Sequence, residues 1–195
     1  MKKLFLSLFF AICIFFSNAQ PSYPAGLKVN DKAPDFSSKD QNGKIISLKD
    51  ELKRGKVVLI FYRGQWCPYC NKELKNMEDS LSLITSKGAT VVAVTPELPE
   101  HISKTINKTK AAYSFLSDDG LKIMKAYDVA YAVDSTTMKM YKGYGIDFAQ
   151  ANGSNGANLP VPAVYIIDTN GNITYRYFDI DYRKRASIKE ILAHL

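Results

Sequence analysis

From Val57 to Tyr62 every side chain is apolar or aromatic (Val57, Val58, Leu59, Ile60, Phe61, Tyr62), with no polar alternation. Such a run, bounded by turn residues, predicts a strand buried on both faces. It breaks at Arg63-Gly64-Gln65, and beyond Trp66 the spacing turns helical. Leu74, Met77, Leu81 and Ile84 fall on one face, with Lys, Asp and Glu between them. Gly88 stops that helix, and Ala89–Thr95 (ATVVAVT) reads as a second buried strand. A βαβ unit with a right-handed crossover is the economical arrangement. Ahead of it, Asp31–Phe36 is an extended lead-in fixed by Pro34. Asn42-Gly43 then signals a hairpin whose return strand holds Ile45, Ile46 and Leu48.

Further along, His101–Lys110 reads as a polar helix or loop, and Phe115–Ser117 as a short apolar segment. Asp118 or Asp119 can N-cap a helix running to Ala126-Tyr127. Val129–Tyr144 alternates and predicts an excursion of strand and loop. Gly143, Gly145, Gly153 and Gly156, with several Asn and Ala, predict a long flexible loop over 143–158. Leu159-Pro160-Val161-Pro162 leads into a strand at Ala163–Asp168, Thr169–Asn172 turns the chain, and Ile173–Phe178 returns antiparallel. Asp181–Leu195 closes the chain with a helix that turns Ile188, Ile191, Leu192 and Leu195 inward. The pattern predicts one α/β domain over 31–195, preceded by a short leader at 20–30.

The first residues do not belong to that pattern. Lys2-Lys3 precedes a thirteen-residue apolar stretch, Leu4–Phe16, and Ser17-Asn18-Ala19 puts small residues at the −3 and −1 positions of a cleavage site. A spanning helix needs about 20 apolar residues, so residues 1–19 read as a signal peptide rather than a stable membrane anchor. The expected protein is exported, periplasmic or secreted. Its charge falls from +7 to +5 on cleavage, 24 basic against 19 acidic residues, and the excess is dispersed. No aromatic-interleaved basic patch suggests nucleic acid.

Cleavage also changes the cysteine count. Cys13 leaves, and Cys67 and Cys70 remain alone in Cys67-Pro68-Tyr69-Cys70. Two thiols are half a zinc site, and His101 and His194 stand at no metal spacing, so no metal or other cofactor is expected. A bridge across two residues would constrain the unfolded chain very little, which argues against a purely structural disulfide. At a helix N-terminus, where Pro68 suits the first turn, the positive end of the dipole favours thiolate. This pattern points to a reversible dithiol.

Trp66-Cys67-Pro68-Tyr69-Cys70 resembles the active site of thioredoxin-fold proteins. With Lys32-Ala33-Pro34-Asp35-Phe36, Phe61-Tyr62-Arg63-Gly64, Leu116-Ser117-Asp118, Val161–Asp168 and Asp181–Arg185, the chain resembles the alkyl hydroperoxide reductase/thiol-specific antioxidant family, in its peroxiredoxin-like branch. The resemblance implies a thioredoxin fold, a central mixed sheet flanked by helices, with an N-terminal β-hairpin extension. It implies reduction of hydroperoxides through Cys67 and Cys70, with a thiol reductant or thioredoxin-like electron donor. A thiol–disulfide oxidoreductase acting on protein disulfides is the alternative, and a redox-gated binding module a third. In the family's register Cys70 takes the place of the peroxide-attacking thiol, Cys67 that of a threonine and Arg63 that of a proline. The dithiol's place on a helix favours Cys67 as nucleophile, and the register favours Cys70. Arg63 supplies positive charge or is a solvated loop residue. The family's arginine would fall near Pro162. That proline is expected to be cis by likeness, packing against the dithiol and exposing the Val161 backbone to a substrate chain, or trans at a strand edge. Trp66 reads as a packing lid beside the sulfurs, Lys72 and Glu73 as exposed helix residues. Asp181, Arg183 and Arg185 read as a solvated or ion-paired surface run.

Overall fold

The computed structural model describes residues 23–195, so the expected signal peptide lies outside the described residues. The first two strands among the described residues, β1 (Ser37–Lys39) and β2 (Ile45–Ser47), form a hairpin turned where Gly43 adopts φ +78°. Leu48, expected on the return strand, instead opens the short helix α1 (Leu48–Leu52), capped by the Ser47 hydroxyl. Then come β3 (Lys56–Phe61), α2 (Pro68–Asp79), α3 (Leu81–Ser86) and β4 (Ala89–Thr95). The single helix expected through Leu74, Met77, Leu81 and Ile84 is thus two. It breaks at Ser80, a residue type whose hydroxyl competes for backbone hydrogen bonds and so is disfavoured inside a helix.

β3 pairs in parallel with β4 and antiparallel with β8 (Ala163–Ile167), placing it at the centre of a five-stranded sheet. The order is β5 (Ser114–Ser117), β4, β3, β8, β9 (Ile173–Phe178). Successive strand residues face opposite sides, which divides the core in two. Val57, Leu59 and Phe61 join Phe36, Ile46, Leu48 and the helix α5 (Lys122–Ala126) on one face. Val58, Ile60 and Tyr62 join Cys67, Cys70, Leu74, Met77 and the helices α4 (Pro99–Thr109) and α8 (Ile188–His194) on the other. The uninterrupted hydrophobicity of β3 thus reflects burial on both faces, and the mixed sheet is the one a thioredoxin fold requires.

The region from 129 to 160 departs most from expectation. β6 (Ala130–Ala132) and β7 (Asn158–Pro160) form a separate two-stranded ribbon. Between them lie α6 (Ser135–Gly143), where an excursion of strand and loop was expected, and α7 (Phe148–Asn152), where a flexible loop was expected. The caps explain the difference: Asp134 and Asp147 each accept two backbone N–H bonds at the helix starts, which outweighs the local glycine content. Asn155 then ties the segment down. Its Nδ2 donates to the carbonyls of Pro96 (2.8 Å) and Asp118 (3.0 Å), and its Oδ1 accepts from Gly120 N (3.0 Å). Phe148, Leu159 and Val133 form a small third core that reaches Trp66.

Asn155→Ala removes three hydrogen bonds at a buried site and leaves their partners unsatisfied. It is expected to lower the free energy of unfolding by about 2–4 kcal/mol, read from urea denaturation. An unchanged midpoint would show that 143–158 is not docked as described.

Candidate active site

The end of β3 delivers the chain to the start of α2, and Cys67 is the residue that caps it. Its backbone is extended (φ −86°, ψ 109°), and its Sγ accepts the N–H of Cys70 at 3.3 Å. Pro68 occupies the first turn, where a missing N–H costs nothing. Cys67 N donates to Gly64 O (3.1 Å), closing the loop of Arg63, Gly64 and Gln65 beneath it. Both cysteines are free thiols and both are buried, 1% exposed at Cys67 and fully enclosed at Cys70.

The two sulfurs differ electrostatically. Hydrogen bonding from Cys70, assisted by the nearby Arg63 and Arg185 cations, lowers the Cys67 pKa to about 7 against the opposing effect of burial. Burial, together with the charge and hydrogen bond of Cys67, pushes Cys70 well above the usual thiol range. Cys67 is therefore the thiol that ionises first.

Arg63 is 2% exposed, which sets aside its reading as a solvated loop residue. Its guanidinium lies 4.1 Å from the Tyr182 ring centroid and 5.0 Å from that of Trp66, and it donates to the Tyr141 hydroxyl. Among the described residues no carboxylate forms an ion pair with it. Trp66 is half-buried and packs edge-on against Tyr141 (5.3 Å) and Phe148 (5.8 Å). Beside Arg63 opens a cavity of about 320 Å³ walled by Tyr131, Tyr141, Met140 and Tyr182.

Two expectations are corrected, and the open reading of Pro162 takes its trans alternative. Glu73 is not an exposed helix residue: it is buried, and its Oε2 pairs with Arg185 Nε at 2.7 Å. Burial raises its pKa to about 8 against the pull of Arg185. Arg185 does not belong to the solvated run; its Nη2 donates to Cys70 Sγ at 3.3 Å, while Arg183 and Asp181 do form a surface pair (2.8 Å). A signal for Glu73 was present, since Cys70, Glu73, Leu74 and Met77 occupy i, i+3, i+4 and i+7 of one helical face. Pro162 is joined through a trans peptide bond, and the Val161 N–H donates to Val129 O (2.8 Å) instead of standing free for a substrate chain. Lys72 is exposed, as expected.

Residues 29–176 match the AhpC/TSA family, and the chain belongs to that family. Its curated relatives are peroxiredoxins. The chain is 29% identical over 163 residues to the chloroplastic peroxiredoxin Q of Gentiana triflora, covering 80% of this chain and 64% of that protein. It is also 29% identical over 160 residues to the protein named peroxiredoxin bcp of Helicobacter pylori strain J99, covering 82% of this chain and 93% of that one. The fold matches the crystal structure of peroxidoxin BcpB from Mycobacterium tuberculosis with a TM-score of 0.66 at 22% identity, over 86% of this chain and 96% of that one.

Arg63→Gln keeps the loop's bulk and removes its charge. The Cys67 pKa is expected to rise from about 7 by about one unit, roughly a fivefold loss of thiolate at pH 7. The pH dependence of thiolate absorbance or of alkylation rate measures this, and an unmoved titration would mean that Arg63 does not act on the sulfur.

Proposed function

We propose that this chain reduces hydroperoxides through a Cys67–Cys70 cycle in which Cys67 attacks first. The observation that carries the reading is the Cys67 sulfur at the N-terminus of α2, accepting the Cys70 N–H with Arg63 and Arg185 nearby. A thiolate is the nucleophile in such chemistry, and this site favours it at Cys67. Cys67 S⁻ attacks one oxygen of the O–O bond, giving Cys67 sulfenic acid and releasing the other oxygen as an alcohol or water once protonated. Cys70 then attacks the oxidised sulfur, forming the disulfide and expelling water. A dithiol reductant or thioredoxin-like donor supplies two electrons to reopen it. Family membership and peroxiredoxin relatives support the reaction class. Reduction of protein disulfides is less well supported, because the Val161 N–H that a substrate chain would need is already donated to Val129.

Peroxide consumption with a dithiol reductant tests this. Cys67→Ser is expected to abolish turnover, and Cys70→Ser to make the first attack and accumulate a sulfenic acid detectable by mass. Turnover by Cys67→Ser would assign the attack to Cys70 instead, and insulin reduction without peroxide turnover would favour the disulfide oxidoreductase. We also propose export, on the strength of residues 1–19. The mature protein is expected in the extracytoplasmic fraction with Gln20 as its N-terminus, and a retained Met1 in that fraction would contradict cleavage.

A further inference from the structure

Beside the dithiol stands a buried cation that the protein itself leaves unpaired. Arg54, Arg183 and Arg185 each face a carboxylate, whereas Arg63 meets none among the described residues. Its side chain makes a single hydrogen bond there, from Nη2 to the Tyr141 hydroxyl, and its Nε is buried without a partner. A guanidinium has further N–H donors arranged as a fork, so most of its capacity is unspent. The rings of Trp66, Tyr141 and Tyr182 have their centroids within 5.4 Å of it. Such faces lessen the cost of burying the charge but accept no hydrogen bond in the plane of the fork. Buried charges are otherwise paired.

Arg63 also lines the cavity of about 320 Å³, whose apolar sides are Tyr131, Met140, Ile180 and Tyr182. The acid on that lining, Asp134, is already engaged at the start of α6. Its Oδ1 accepts the N–H groups of Thr136 and Thr137, and its Oδ2 the Thr137 hydroxyl. At about 30 Å³ for a water-sized group, the space holds roughly ten heavy atoms. Hydrogen peroxide is far smaller, and the neutral end of an organic hydroperoxide brings no charge to Arg63. A small organic acid answers both features, since a planar carboxylate matches the guanidinium fork and an apolar body covers the walls. Cys67 is 1% exposed and is not one of those walls, so a ligand seated here presents no reacting group to the sulfur.

We propose that this cavity binds a small organic acid with an aromatic or branched apolar body, its carboxylate paired with Arg63, and that binding withdraws the Arg63 charge from Cys67. The site goes beyond the hydroperoxide reading. Its ligand is an effector of the dithiol, and no bond of the ligand forms or breaks. Cys67 keeps the Cys70 N–H at 3.3 Å and the nearby Arg185 when Arg63 is neutralised, so the acid weakens the thiolate without abolishing it. The absence of a protein carboxylate at Arg63 then has a use: the cation stays free to be occupied from outside.

Phenylpropionate suits the cavity in size, and its amide has the same shape without the charge. Trp66 is the chain's only tryptophan, and its ring centroid lies 5.0 Å from the Arg63 guanidinium, so its emission reports occupancy. Calorimetry is expected to give a Kd of about 1 mM or tighter for the acid, with Trp66 emission saturating over the same concentrations. The amide, and the acid with Arg63→Gln, are each expected to bind about tenfold more weakly or worse, as loss of a charge-assisted hydrogen bond requires. Met140→Ala, at a half-exposed wall, is expected to weaken the acid about threefold. Saturating acid is expected to slow alkylation of Cys67 by iodoacetamide at pH 7 about fivefold in wild type, and to leave the Arg63→Gln rate unchanged. Equal binding of acid and amide, binding that leaves Trp66 emission unmoved, or no saturable change in heat or emission overturns the site. Those comparisons use the unmutated protein, so they hold if Arg63→Gln fails to fold. Binding that does not slow alkylation overturns the effect on Cys67. Peroxide turnover enters none of these outcomes, so failure of the peroxidase reading is seen separately.

Discussion

The structure depends on a negative charge held on sulfur in a place that water scarcely reaches. Cys67 is 1% exposed, and a bare thiolate at such a site is strongly disfavoured. The Cys70 N–H, an otherwise unpartnered donor at the start of α2, points at that sulfur and supplies part of the compensation. Arg63 and Arg185 supply more from the flanks. The same arrangement opposes two charges at once, since Cys67 raises the cost of ionising Cys70. In the cycle proposed, one sulfur attacks while the other is kept protonated until it is needed.

The remaining architecture follows from holding this arrangement in place. β3 is paired on both edges and buried on both faces, so its end is a rigid support for the loop carrying Arg63 and Cys67. Glu97, at the end of the neighbouring parallel strand, fixes that loop from below through Gln65. From above, the ribbon and helices of 130–160 bring Tyr141 and Phe148 against Trp66 and give Arg63 aromatic neighbours instead of an acid. A carboxylate paired with Arg63 would neutralise the charge that Cys67 draws on. The aromatic surroundings keep the cation buried without consuming it.

Some of this was legible in the sequence because it is local. The run Val57–Tyr62, the Asn42-Gly43 turn and the CxxC at a helix start are written in adjacent residues, and each stands where expected. Glu73 carried its signal too, by lying on the apolar face of α2, but a charge at such a position is readable as buried only once its cation is known. That cation, Arg185, lies 115 positions from Cys70 and is indistinguishable by spacing from the surface residues Arg183 and Lys184. In 143–158 the glycines suggested looseness, whereas Asp147 as a cap and Asn155 as a tie are single residues whose partners are distant in sequence. The expectations for Pro162 and Val161 came from likeness, and the Val129 carbonyl that takes up the Val161 N–H belongs to a segment whose path the pattern did not predict.

The central claim is that Cys67 and Cys70 form one two-electron couple driven by hydroperoxide. Titrating the fully reduced protein with limiting hydroperoxide, with free thiols counted and the peptide spanning 67–70 weighed at each step, tests it most directly. The account predicts that each equivalent of hydroperoxide removes both thiols together and leaves that peptide lighter by two hydrogens. Thiols that survive excess hydroperoxide, or that are lost one at a time to stable sulfenic or sulfinic acids in the unmutated protein, would contradict it.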